Sequence, residues 1–186
     1  MIVRMADGNT AALDYREKAP SLADRDMYLD KNKEVVSGLS TYGALAVGVP
    51  GTVAGMEAVH KKYGKLAWAE LIQPAIDIAR EGFPIMGSEA ERFEEKKKDI
   101  KGINRFKTPF VKFWGWDQGD ILKQPDLAVT LERIRDNGRD GFYKGKTADL
   151  FVDEMKAGNG IISHADLENY QPAWRNPIVG LSLIHI

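Results

Sequence analysis

Asp14-Tyr15-Arg16-Glu17 is the one unusual polar cluster of this chain, a single cation set among carboxylates. On a strand, Leu13 and Tyr15 face one way while Asp14 and Arg16 face the other. By residue type alone the plainer reading is favoured, an exposed Arg16 beside carboxylates. A second candidate is Gly48-Val49-Pro50-Gly51-Thr52, which leads from an apolar run into a helical pattern, the context of a phosphate loop. It lacks the lysine of G-x-x-x-x-G-K-[ST] and the spacing of G-x-G-x-x-G, so a tight connection is the better reading. Gly51 and Gly55 stand four apart and present a small face that another element can approach closely. The histidines, His60, His164 and His185, lack the i, i+4 spacing of a zinc-binding helix. His60 reads as a boundary packing residue and His164 as an exposed residue at a helix start. Phe113-Trp114-Gly115-Trp116 could stack a sugar or a base, but core packing or loop anchoring is the commoner use of such a run.

Composition narrows the classes. The chain has 186 residues, about one domain, with 44% hydrophobic and 28% charged residues, a globular profile rather than a disordered or fibrous one. Lys plus Arg number 26 against 27 Asp plus Glu, so no global charge draws it to nucleic acid or an anionic membrane. The Lys96-Lys97-Lys98 run follows Glu94-Glu95 on an alternating helix and reads as a solvated face. No apolar run approaches the roughly 20 residues that span a bilayer. Cysteine is absent, which excludes disulfides, thiolate metal sites and a cysteine nucleophile.

The elements that must position these residues are mostly helices. Residues 1–6 and 10–16 around Asp7-Gly8-Asn9 read as a hairpin with an open sheet edge. Residues 20–43 are polar and interrupted, with one short helical turn over 23–29, and residues 44–49 read as a short buried strand. Thr52 is the expected N-cap of a helix that stops at Gly64. Trp68, Leu71, Ile72, Ala75, Ile76 and Ala79 mark a second helix, closed by Gly82 and Pro84 and either started or kinked at Pro74. Ser88 is the expected cap of a charged helix over 89–101, and the aromatic residues of 105–119 are expected to fold back over the core. Leu127, Leu131 and Ile134 define a helix ending at Gly138. Leu150, Phe151 and Met155 are the expected inner face of another over 147–157, stopped by Gly158. A short capped helix over 163–170 and an extended piece over 174–179 complete the chain. The unled hairpin and the apolar hexamer 181–186 read as the ends of a partial chain, the hexamer as either an unfinished strand or a foreign tail, and no signal peptide is visible.

Leu13-Asp14-Tyr15-Arg16-Glu17-Lys18-Ala19-Pro20, with Asp26-Met27-Tyr28-Leu29-Asp30, resembles a block of the gamma-glutamyltranspeptidases. Residues 47–55 are similar to that family's V-G-x-P-G-T-V-A-G segment. Residues 63–66, 74–83, 141–145 and 160–163, then Asp166, Leu167 and Tyr170, continue the resemblance in order over residues 1–180. It implies an α+β fold, a helix-rich part of the αββα sandwich of N-terminal nucleophile (Ntn) hydrolases, with residues 1–180 as a partial large subunit truncated at both ends. In this family a precursor cleaves itself. The new N-terminal threonine of the small subunit then attacks a gamma-glutamyl amide, its own α-amine serving as base.

The implied activity is that of a gamma-glutamyltransferase, or glutathione hydrolase, that passes the glutamyl group to water or amino acids. The implied partners are a gamma-glutamyl substrate and the small subunit, with no cofactor, metal or nucleic acid, and a periplasmic or secreted location. No catalytic residue falls within this chain, which is expected to be inactive by itself. The resemblance assigns Arg16 to the substrate's α-carboxylate, with Glu17 beside it. A guanidinium fork suits that task, because it meets a carboxylate with two parallel hydrogen bonds and stays charged at every working pH. The alternatives are a related acylase of the cephalosporin type, which needs no such clamp, and a non-catalytic helical binding module that uses the aromatic loop.

Overall fold

The hairpin forms as its turn signal predicts: β1 (Ile2–Arg4) pairs antiparallel with β2 (Thr10–Asp14), Ile2 opposite Ala12 and Arg4 opposite Thr10. The computed structural model describes residues 1–180, so the foreign tail expected at 181–186 lies outside the described residues. The other side of β2 takes β5 (Ala173–Arg175), also antiparallel, with Leu13 opposite Trp174. Chain regions about 160 residues apart in sequence thus meet in one small sheet. Leu13 is buried under it.

Helices supply most of the remaining structure: α1 (Thr52–Tyr63), α2 (Trp68–Glu81), α3 (Gly87–Ile103), α4 (Pro125–Asn137), α5 (Asp140–Tyr143), α6 (Gly145–Ala157) and α7 (His164–Glu168). Two residues each of β3 (Phe83–Pro84) and β4 (Ile121–Leu122) pair beside them. This is the expected α+β class. Three apolar clusters hold it together. Val49, Ala54, Tyr143, Val152, Leu167 and Tyr170 lie in the first. Ile85, Trp116 and Leu122 lie in a second, and Ile76, Ala79 and Ala128 join α2 to α4 in a third.

Several local expectations are corrected, each by a nameable competitor. Residues 23–29 form hydrogen-bonded turns instead of a helical turn, the Asp24 carboxylate capturing the Asp26 N–H. Residues 44–46 form a single 3-10 turn and not a strand. Ala44 packs where Gly158 and Gly160 lack side chains, and only Val49 is buried and bridged, to Lys18. The cap of α1 is Gly51, not Thr52, and no side chain caps it. Gly64 does end α1, in extended conformation. α2 starts at Trp68, well before Pro74, which lies inside it. Ser88 lies within the first turn of α3, and the Glu89 carboxylate instead accepts from the Met86 N–H at 2.8 Å.

Two predicted inner faces hold in part: Ile134 and Met155 are buried and Leu131 and Phe151 pack against the core as expected, whereas Leu127 and Leu150 are exposed and Ala128, Ala148 and Val152 are buried in their place. The aromatic loop divides. Trp116 is buried and donates to the Phe110 carbonyl at 2.9 Å, whereas Phe113 and Trp114 are exposed, edge to face at 4.7 Å. The short capped helix forms as expected, with the Ser163 hydroxyl accepting from the Asp166 N–H.

Gly51 and Gly55 behave as their spacing predicts. A Cβ at Gly51 would overlap the Tyr170 hydroxyl and the Tyr15 carbonyl, and one at Gly55 would lie 2.6 Å from the Tyr15 Cβ. In an ordinary helix interior Gly→Ala gains up to about 1 kcal/mol. Here overpacking against the Tyr15 ring reverses the sign, and Gly55→Ala is expected to lose about 1–3 kcal/mol. The measurement is the urea midpoint of the chain; a midpoint equal to or above that of the parent would show that Tyr15 yields at no cost.

Tyr143 ties the same region together from below, donating to the Pro50 carbonyl at 2.7 Å and accepting from the Ala54 N–H at 3.4 Å. Burial pushes its phenol from 10.0 up to about 12, so folding favours the protonated form. Its contribution is therefore complete below pH 10.0 and is lost as pH rises through about 12. Tyr143→Phe is expected to cost about 1 kcal/mol at neutral pH and to flatten the alkaline fall in unfolding free energy. Equal slopes for parent and variant would remove Tyr143 as its source.

Candidate functional site

β2 ends at Asp14, and the next residues leave the sheet to line an open cleft of about 440 Å³. Asp14, Tyr15, Arg16, Glu17, Thr52 and Arg175 are among its walls. Asp14 is bound by Arg175, whose Nη2 and Nε lie 2.7 and 2.8 Å from the same carboxylate oxygen. That pairing, followed by the Arg16 N–H, holds the Asp14 carboxyl below its ordinary range. The ion pair is a sheet contact as well, since Arg175 lies on β5 beside β2.

Arg16 has a held backbone and an exposed side chain. Its N–H donates to Asp14 Oδ1 at 3.2 Å, and its carbonyl accepts from the Tyr170 hydroxyl at 2.7 Å. The guanidinium side chain is 82% exposed, and its Nη2 meets Glu17 Oε1 at 2.7 Å. The bond from Arg16 keeps the Glu17 carboxyl below its usual range, and Glu17 in turn raises Arg16. Such solvent-facing pairs contribute little to stability, so a ligand carboxylate can replace Glu17 on the fork at small cost. Glu17 itself lies over Gly48, where a Cβ would come within 3.0 Å of it, and Lys18 bridges Val49 through both backbone groups.

The sequence candidates fall into place unequally. Arg16, Glu17 and the Gly48–Thr52 turn come together at the cleft. His60 packs against Trp68 with ring centroids 5.2 Å apart, and His164 pairs with Asp149 at 2.9 Å on the surface. Lys96 and Lys97 pair with Asp99 and Glu94 on their own helix. Among the described residues there is no group of three or more His, Asp or Glu side chains able to hold a metal ion. None of their helices is long and apolar enough to cross a membrane.

Two partners of the site escape reasoning from residue types. Arg175 reaches Asp14 across 161 positions, which no local pattern signals. Tyr170 enters the sequence reading only as a residue of the resemblance, and its hydroxyl contact with Arg16 spans 154 positions.

The family model described as gamma-glutamyltranspeptidase matches residues 1–181. A curated glutathione hydrolase proenzyme of Pseudomonas aeruginosa is 47% identical over 173 residues, 92% of this chain but only 30% of that protein. The crystal structure of the Helicobacter pylori gamma-glutamyltranspeptidase is 42% identical with a TM-score of 0.91, over 100% of this chain and 54% of that one. A cephalosporin acylase from Bacillus halodurans, 24% identical with a TM-score of 0.77 over 95% of this chain and 34% of its own, shares the fold alone. These neighbours have the N-terminal nucleophile hydrolase fold, and the chain spans under a third of the curated relative. Matched by the family model along all its described length, and superposable on a family member in full, the chain belongs to the gamma-glutamyltranspeptidase family.

Proposed function

We propose that residues 1–180 form part of the large subunit of a gamma-glutamyltransferase, or glutathione hydrolase, and that Arg16 receives the α-carboxylate of its substrate. The whole protein would cleave gamma-glutamyl amides such as glutathione and pass the glutamyl group to water or an amino acid. Its nucleophile would be the N-terminal threonine of the small subunit released from the same precursor, a reading supported by the proenzyme name of the curated relative. The observation that carries the proposal is the held backbone and exposed, Glu17-paired guanidinium of Arg16 at the mouth of a cleft.

Binding follows from the charges. The incoming α-carboxylate takes the Arg16 fork in place of the Glu17 oxygen, gaining two parallel hydrogen bonds where the present pair has one short contact. Glu17, released from the fork, is an acceptor suited to the substrate's α-ammonium group. The two side chains together would read the amino-acid end of the substrate and leave the gamma-amide to the small subunit. An acylase acting on a substrate without an α-carboxylate would gain nothing from Arg16. The fold-level likeness to the cephalosporin acylase therefore does not favour that activity.

Two outcomes test the proposal. In the full-length precursor, Arg16→Ala is expected to raise KM for gamma-glutamyl-p-nitroanilide by a factor corresponding to about 2–5 kcal/mol, while self-cleavage proceeds. Arg16→Lys should recover only part of this, because an ammonium cannot reproduce the planar fork. Unchanged KM in Arg16→Ala would return Arg16 to the plain surface reading. The 186-residue chain alone is expected to release no p-nitroaniline above a heat-killed control; turnover by the purified chain would place the nucleophile within it.

A further inference from the structure

Arg16 lies beyond the last ladder position of β2, so no strand partner holds its carbonyl. The Tyr170 hydroxyl takes that role at 2.7 Å. We infer that Tyr170 is a positioning residue for the substrate carboxylate: by fixing the Arg16 carbonyl it sets the height and direction from which the guanidinium is presented. This rests on the carboxylate-binding reading of Arg16.

Tyr170 is itself fixed from several sides. Its ring is 2% exposed and stacks on Tyr143 with centroids 5.9 Å apart and planes within 10°. Its carbonyl accepts from Arg139 Nη2 at 2.9 Å, and the same nitrogen reaches the Glu168 carbonyl at 3.1 Å. The Arg139 guanidinium also lies 4.9 Å from the Tyr143 ring centroid. On the outer side, the Lys18 ammonium stands 4.9 Å from the Tyr170 ring and donates to the Gln171 carbonyl at 2.7 Å. Gly51 leaves the space that the hydroxyl occupies. Arg139 and the buried rings of Tyr143 and Tyr170 thus form a stack that runs from the start of α5 to the main chain of Arg16.

The geometry separates two jobs within one residue. Filling the core needs only the ring, which phenylalanine also supplies. Holding Arg16 needs the hydroxyl. An arginine side chain has several rotatable bonds, so loosening its backbone anchor spreads the guanidinium over more positions and weakens binding before chemistry begins. Loss of such uniform binding raises KM and leaves kcat in place.

The test is a double-mutant cycle in the full-length precursor, read with gamma-glutamyl-p-nitroanilide. Tyr170→Phe is expected to raise KM roughly tenfold with kcat changed less than about twofold, and to add nothing when Arg16 is already alanine. Trp116→Phe, which loses a 2.9 Å hydrogen bond to the Phe110 carbonyl in the separate aromatic cluster, is the control for general destabilisation and should leave KM unchanged. Equal KM for Tyr170→Phe and the parent, with KM raised in Arg16→Ala, overturns the positioning role and leaves the carboxylate reading standing. A rise of the same size in both Arg16 backgrounds also overturns it, because Tyr170 would then act elsewhere. Unchanged KM in Arg16→Ala removes the reading on which the inference depends. Should Tyr170→Phe fail to accumulate, Arg139→Lys loosens the Tyr170 carbonyl while keeping the charge. It is expected to raise KM in the same direction, and an unchanged KM there overturns the inference.

Discussion

The cleft depends on how closely residues 15–17 lie against the glycines at 48, 51 and 55. Each glycine occupies a place where a side chain would strike this segment: Glu17 over Gly48, the Tyr15 carbonyl and Tyr170 hydroxyl over Gly51, the Tyr15 ring over Gly55. The approach explains why α1 begins without a side-chain cap, since the capping position is the one that has no room for a side chain. It also explains why the Gly-rich turn resembles a phosphate loop in context without carrying its lysine. The turn receives protein rather than phosphate.

Polar contacts then determine what the seated segment can do. Buried hydroxyls are costly when unpaired, and both tyrosines under the cleft have main-chain partners, Tyr143 at Pro50 and Ala54, Tyr170 at Arg16. The charged groups above them are exposed, and Arg16 with Glu17 makes a pair of the kind that adds little to stability. The rigid part of the site is therefore neutral and buried, while the charged part stays exchangeable. That division suits a place where a ligand carboxylate must displace a protein one.

The rest of the chain supports this arrangement from a distance. Packing of α2 on α4 through Ile76, Ala79 and Ala128 sets the position of Gly138 and Arg139, because α4 ends there. The Arg139 N–H is held by Glu57 of α1 at 3.0 Å, which ties α1 to the α4–α5 junction. The aromatic loop stands apart. Trp116 anchors it to its own cluster with Phe93 and Phe110, and the exposed Phe113–Trp114 pair makes no contribution to the cleft.

Patterns confined to a few residues were legible in the sequence. The Asp7-Gly8-Asn9 turn dictates the hairpin, Ser163 with Asp166 dictates the start of α7, and Gly51 with Gly55 marks a close approach without naming the visitor. The chemistry of Arg16 is also inherent in its type, since a guanidinium is always charged and always forked. Local signals failed where a distant contact outweighed propensity: Thr52 lost the cap to Gly51, residues 44–49 lost their strand to a packing site beside Gly158 and Gly160, and Leu150 lost the core to Val152. Only the tertiary structure could bring Arg175 to Asp14 and Tyr170 to Arg16, because each pair is joined across more than 150 positions of chain and nothing in either local sequence encodes the other's place. Residue types determined which interactions were available; packing against glycine decided which backbone atoms were close enough to use them.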